Sequence, residues 1–320
     1  MKILVTGCAG FIGSHLCERL LDNEYIVFGI DNLNNYYDNK QKFYNINVIL
    51  KHKKSNNFKF IREDINKTKL IDEMKPDIVI HLASLAGVRY SIDNPTEYSD
   101  TNITSSIHLL EKCVKNNVKK FIFASSSSVY GSSGACLFSE TNILNDFESH
   151  YALSKYCLEL YAKLTNKLYG LNTIGLRFFT VYGPRGRPDM APYKFLLNIL
   201  NNKEIIKYGN GFSSRDYTYI DDIIDGIISS LKKNKTNNHE VYNLGNNKTI
   251  TLNNFIETCE KICNKKAIIK QIDNQVGDVP YTCADIELSK KELNYNPKVD
   301  LETGLTKLKE WLIEYKNISI

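Results

Sequence analysis

Tyr151 and Lys155 stand four residues apart, a spacing that on a helix puts both side chains on one face, one turn apart. A tyrosine ordinarily ionises near pH ~10, and an ammonium beside the phenol favours its phenolate. Such a group can take a proton at neutral pH. Tyr-x-x-x-Lys by itself is common on solvated helix faces. The run Ser125-Ser126-Ser127-Ser128, some 25 residues upstream, makes it specific by offering a hydroxyl for the same substrate oxygen. Ser126, Tyr151 and Lys155 are the catalytic candidates, for removal of a proton from a substrate hydroxyl.

Thr6-Gly7-Cys8-Ala9-Gly10-Phe11-Ile12-Gly13 joins an apolar run to a stretch of helical spacing. Glycines at 7, 10 and 13 permit a tight turn and close approach of backbone to a pyrophosphate, whose charge the following helix N-terminus favours. Asp31 ends the next apolar run, 18 residues after Gly13, where a carboxylate would hold ribose hydroxyls and repel a 2′-phosphate. The pattern predicts NAD rather than NADP, with Asp64 and Ile65 as the adenine contact.

These residues need a scaffold. Strands are expected at 2–6, 25–30, 58–61, 78–82, 121–125 and 173–178, and helices at 11–21, 105–115 and 151–169. Strands alternating with helices predict an α/β fold, a Rossmann-type doubly wound parallel sheet covered on both faces. After about residue 180 the chain turns to Gly-, Pro- and Arg-rich loops around short helices at 222–231 and 252–263. The expected division is an NAD-binding domain over 1–180, to which segments near 216–246 return, and a smaller, interleaved substrate domain over 181–320.

With 320 residues, 42% hydrophobic and 24% charged, the composition is that of a folded globular protein of about two domains. The net charge of +5 is dispersed, so nucleic acid is not an expected partner. No run of about 18 apolar residues and no secretory leader pattern is visible, so no membrane association and a cytoplasmic location are expected. The eight cysteines are scattered, which predicts reduced, mostly buried thiols and no metal site.

Gly7, Gly10 and Gly13, the Leu82-Ala83-Ser84 segment, Asn102, Ser126, Tyr151 and Lys155 together resemble the extended short-chain dehydrogenase/reductases, among them the nucleotide-sugar epimerases and dehydratases, over essentially the whole chain. Ser125 to Gly131, Gly175 to Pro184, Gly186 to Ala191, and Gly277-Asp278-Val279 followed by Thr282 and Ala284-Asp285 are similar to the UDP-glucuronate 4-epimerase subgroup. The resemblance implies permanently held NAD, contacted by Gly7, Gly10, Phe11, Ile12, Gly13, Leu82, Ala83, Ser84, Asn102, Tyr151, Lys155 and Phe178. It implies a UDP-sugar held by Arg89, Ser126, Ser127, Thr180, Arg185, Arg187, Met190, Lys194, Arg215 and Asp278, and a homodimer through a four-helix contact. The reaction implied passes through a 4-keto sugar: Tyr151 removes the O4 proton, and the C4 hydride leaves and returns on the opposite face.

A 4-ketone also acidifies the C5 proton, so dehydration across C5 and C6 is the alternative fate. Retaining dehydratases of this family carry Asp-Glu where this chain has Ser127 and Ser128, which counts against it. The segment 132–150 departs from the epimerase pattern, however, and Cys136, Glu148 and His150 could supply acid or base. They would join the catalytic set if the enzyme were a 4,6-dehydratase of UDP-N-acetylglucosamine, with or without inversion at C5.

Overall fold

The computed structural model describes residues 1–132, 137–142, 144–233, 238–273 and 279–318. The first part of the chain runs β1 (Lys2–Thr6), α1 (Phe11–Asp22), β2 (Ile26–Asp31), α2 (Asn39–Leu50), β3 (Phe58–Arg62), α3 (Leu70–Met74), β4 (Ile78–His81), α4 (Val88–Asp93), α5 (Pro95–Tyr98), α6 (Ser105–Lys115), β5 (Lys120–Ser126), α7 (His150–Tyr169) and β6 (Asn172–Phe178). There follow β7 (Thr180–Tyr182), α8 (Ala191–Leu200), β8 (Glu204–Tyr208), β9 (Ser214–Tyr219), α9 (Ile220–Lys232), β10 (His239–Leu244), β11 (Thr249–Thr251), α10 (Leu252–Cys263), β12 (Ile268–Ile272), α11 (Glu287–Leu293) and α12 (Leu301–Lys316).

Ile3, Leu4 and Val5 of β1 are enclosed, as a parallel strand covered on both faces requires. Leu4 stands opposite Phe28 of β2 on one side and Val79 of β4 on the other, both pairings parallel. The seven-stranded sheet has the order β10-β6-β5-β4-β1-β2-β3. Winding reverses between β1 and β4, and at such a reversal the carboxyl ends of two strands part and leave a crevice. One apolar core joins Leu4, Ile30, Val79 and Phe121 of the sheet to Ile71 of α3, Leu109 of α6 and Leu158 of α7. Burying each such side chain contributes about 1.5–3 kcal/mol.

The helices at 105–115 and 252–263 and the strand at 2–6 have the expected bounds, and the other expected strands differ by one residue at one or both ends. The later helices are not all short: α12 covers 16 residues, its start fixed by the Asp300 carboxylate, which accepts from the Thr303 amide at 2.8 Å. Contacts divide the chain into a first unit of 1–129, 149–177 and 227–242 and a second of 130–148, 178–226 and 243–320. This division differs from the expected one in two places. Residues 130–148 belong to the second unit, where the Asn243 side chain bonds Tyr130 and the Phe138 carbonyl. The returning segment is the narrower 227–242, where Lys120 at the start of β5 donates to the carbonyls of Ser230 and Leu231 in the last turn of α9 and of Lys233 just beyond it. In the second unit β7, β9 and β11 form one small sheet and β8 and β12 another. No helix among the described residues is long and apolar enough to cross a membrane.

Candidate active site

Gly7 follows β1 with φ +72°, and a Cβ there would stand 2.8 Å from the Ala83 amide nitrogen beyond β4. A Cβ on Gly13 would run into the Gly7 carbonyl oxygen. Both glycines are therefore demanded by close backbone approach. Gly10 caps α1 without a side-chain bond, so the first-turn amides, beginning at Phe11, Ile12 and Gly13, are left to an external acceptor. Asp31 closes the turn, accepting from the Ala9 amide at 3.1 Å and the Leu33 amide at 2.8 Å. Burial raises its carboxyl pKa, opposed by those amides and by the charge of Lys42. Asp64 accepts from the Asn32 amide group and the Asn66 backbone, with Ile65 buried beside it. A glycine cradle, an uncapped helix start and a carboxylate on the neighbouring strand fit a dinucleotide.

Lys155 is buried on α7, its Nζ donating to Ser84 Oγ at 2.9 Å and to the Ala124 carbonyl at 3.0 Å, and standing 5.9 Å from the centre of the Tyr151 ring. Burial brings its pKa down to about 7. Tyr151 is half-buried, its ring edge-on to that of Tyr98, with centres 6.2 Å apart. The Ser126 hydroxyl at the end of β5 donates to Ser128 Oγ at 3.1 Å and accepts from the Ser128 amide at 3.2 Å. The first unit therefore carries Ser126, Ser127, Tyr151, Lys155 and the Leu82-Ala83-Ser84 segment. Arg89 lies on α4 and is exposed.

Asn102 is buried and bonded within the first unit. Its side chain accepts from the Leu85 amide and donates to the Leu85 carbonyl and to Ser154 Oγ, and Ser154 in turn donates to the Tyr151 carbonyl. With both N–H donors engaged, Asn102 ties the loop after β4 to the start of α7. His81 went unnoticed in the sequence. Thr6 Oγ accepts from the Leu82 and Ala83 amides, so its hydrogen points to His81 Nδ1 at 2.8 Å. His81 then carries its hydrogen on Nε2, donated to Ser106 Oγ at 2.9 Å, which donates to the Asn102 carbonyl. This assignment of the tautomer follows from the donor count. Burial pushes His81 down to about 3. The only local signal for it was its place at the end of the apolar run of β4.

The second unit holds Phe178, Thr180, Arg185, Arg187, Met190, Lys194 and Arg215. Arg185 is buried, in the left-handed region at φ +63°. Arg187 is bound to Asp189 through both Nε and Nη2. Met190 precedes α8 and Lys194 is exposed on it. Arg215 donates to the Ser214 carbonyl. Beside it Asp216, missed in the sequence, accepts from the amides of Asn246, Asn247 and Ala284 and from Thr218 Oγ, and burial lifts its pKa to about 6. Glu148 is half-buried in the second unit, while His150 begins α7 in the first and is exposed. Cys136 and Asp278 lie outside the described residues.

The chain matches the GDP-mannose 4,6 dehydratase family over residues 4–308. It is 46% identical over 99% of its length to an uncharacterized protein of Methanocaldococcus jannaschii, covering 97% of that protein. It is 41% identical over 96% of its length to the UDP-glucuronate 4-epimerase of Thermodesulfobacterium geofontis, covering 95% of it. The crystal structure of UDP-glucuronic acid 4-epimerase from Bacillus cereus, in complex with UDP-glucuronic acid and NAD, matches with a TM-score of 0.93 and 37% identity, over 98% of this chain and 100% of that one.

Proposed function

This chain belongs to the GDP-mannose 4,6-dehydratase family, within the extended short-chain dehydrogenase/reductases, and on that premise we propose that it is an NAD-dependent 4-epimerase of UDP-glucuronate. The observation that carries the reading is the Tyr151–Lys155 pair, set against Ser84 and the end of β5 beside a glycine cradle. Full-length similarity to UDP-glucuronate 4-epimerases supports the substrate.

Gly7, Gly10, Gly13 and Asp31 would hold NAD, which when bound supplies the acceptor and donor of the C4 hydride. Tyr151 takes the O4 proton while Ser126 hydrogen-bonds the same oxygen, and Lys155 stabilises the phenolate. The resulting 4-ketone turns over, Tyr151 returns the proton to O4, and C4 is inverted without net redox change. Arg215, and Asp278 by resemblance, would meet the UDP portion. The buried guanidinium of Arg185 suits the C6 carboxylate.

Dehydration requires an acid and a base at C5 and C6. By resemblance, the family's dehydratases carry that pair where this chain has the hydroxyls of Ser127 and Ser128, while Glu148 is half-buried and His150 is an exposed helix-start residue, so epimerisation is the fate the Ser127-Ser128 pair suits. The buried free thiols Cys8, Cys17, Cys113, Cys259 and Cys283 suit a reducing compartment such as the cytoplasm. A homodimer is proposed as well, through the outer face of α7.

The test is mass spectrometry and proton NMR after incubation with UDP-glucuronate, and separately with UDP-N-acetylglucosamine, in heavy water without added cofactor. Unchanged mass, no carbon-bound deuterium and inverted C4 are expected. Loss of one water from UDP-N-acetylglucosamine with deuterium gained would replace this reading with dehydration.

A further inference from the structure

Glu159 and Arg177 form an ion pair inside the first unit, their side chains 5% and 4% exposed. Arg177 donates from Nε to Oε1 at 2.9 Å and from Nη2 to Oε2 at 2.7 Å, and the buried Ser125 hydroxyl donates to the same Oε1 at 2.5 Å. The carboxylate on α7 is thereby held by donors from β5 and β6, which are neighbours in the sheet. The epimerase chemistry uses none of these three residues.

Their placement bears directly on groups that it does use. Glu159 lies one helical turn beyond Lys155, and Ser125 immediately precedes Ser126. Two charges withdrawn from water lose their hydration, and apolar side chains of similar volume often hold a helix to a sheet as well or better, so adhesion alone does not account for the pair. What an apolar contact lacks is direction. A planar guanidinium making two parallel bonds to a carboxylate fixes both distance and angle. A helix rises only about 1.5 Å per residue, so a slip of α7 by a fraction of a residue would spoil hydrogen-bond geometry around Tyr151.

We propose that Glu159, clasped by Arg177 and Ser125, is a positioning residue that sets the register of α7 against β5, so that Tyr151 and Lys155 meet the substrate oxygen held by Ser126. For its turnover consequence this rests on the 4-epimerase reading. The clasp moves no proton; it fixes where the phenol stands.

The test compares wild type with Arg177→Lys, which keeps the charge but loses the fork, with Ser125→Ala, and with the apolar double variant Glu159→Leu/Arg177→Met. Two readouts are taken on each protein. The first, needing no sugar, is the ultraviolet titration of Tyr151, isolated by subtracting the same protein carrying Tyr151→Phe. The second is kcat and KM for UDP-glucuronate. In Arg177→Lys we expect the phenol to ionise at higher pH and kcat to fall about tenfold with KM within twofold; Ser125→Ala should show the same with a smaller, three- to fivefold fall. The double variant should melt within a few degrees of wild type yet share the loss of kcat. Wild-type titration and wild-type kcat in Arg177→Lys would overturn the proposal, and so would a loss of kcat that only tracks loss of folded protein. If the double variant does not fold, Arg177→Lys and Ser125→Ala decide. If wild type leaves UDP-glucuronate unchanged, the epimerase reading fails, and the titration still decides the clasp.

Discussion

Lys155 is held by two acceptors and deprived of water, and the same burial that brings its pKa to about 7 keeps it aimed at the Tyr151 ring. Removing the phenolic hydroxyl in Tyr151→Phe should lower kcat by about 10²–10⁴-fold, the usual contribution of a positioned acid/base. UDP affinity by calorimetry should be unchanged, since the nucleotide is assigned to other residues. Two further buried groups give opposite pH signatures. His81 has its folded pKa near 3 against 6.5, so between those values only the unfolded chain takes the proton. Its contribution is full above pH 6.5 and is lost as pH falls towards 3, by about 1.4 kcal/mol per unit at most. Asp216 has its folded pKa near 6 against 3.8; there the folded chain keeps the proton, and stability falls as pH rises through that window. Urea midpoints between pH 4 and 6 should show the gap between wild type and His81→Phe shrinking as pH falls, and the gap between wild type and Asp216→Asn shrinking as pH rises. Parallel gaps would refute both assignments.

Among the elements, the turn between β1 and α1 is the most tightly specified. Gly13→Ala would put a methyl group onto the Gly7 carbonyl and force the turn open, so the variant should purify with at least tenfold less bound dinucleotide, measured by absorbance of the acid extract, while its helical circular dichroism is retained. That turn was legible because its constraint is local: three glycines between an apolar run and a helical one. So were the strands of the main sheet, since burial on both faces writes itself as continuous apolar residues. The groups that tie elements together were not. Thr6 and His81 are 75 residues apart, and neither residue type announces the other. Arg177 sits within an apolar strand, and only the Glu159 carboxylate arriving from α7 explains it. Asn102 and Arg187 show the same limit, since a sequence displays a polar side chain without showing that Leu85, Ser154 or Asp189 engages it.

On the scale of the whole molecule, α7 has two working faces. Its inner face carries Lys155, Leu158, Glu159 and Ala162, all buried. The outer face leaves Leu153, Leu160, Leu164 and Leu168 between 42% and 59% exposed, with Tyr161 and Tyr169 beside them. Twenty residues of helix extend about 30 Å, and an apolar stripe of that length is unusual on a monomer's surface. A second copy packing the same face by a two-fold axis would cover it, since such an interface is self-complementary, and stable dimers bury about 800 Å² on each partner. Sedimentation of wild type should therefore give twice the mass of the chain. Leu160→Glu/Leu164→Glu places four carboxylates in the proposed contact of a dimer, where desolvation and mutual repulsion oppose association, and should sediment as a monomer. Because the helix that would make this contact also carries Tyr151 and Lys155, the monomer should retain its fold by circular dichroism but lose kcat by severalfold, and raising protein concentration should restore part of it. A wild-type protein that sediments as a monomer at micromolar concentration would show that the stripe serves some other purpose than pairing two copies of this chain.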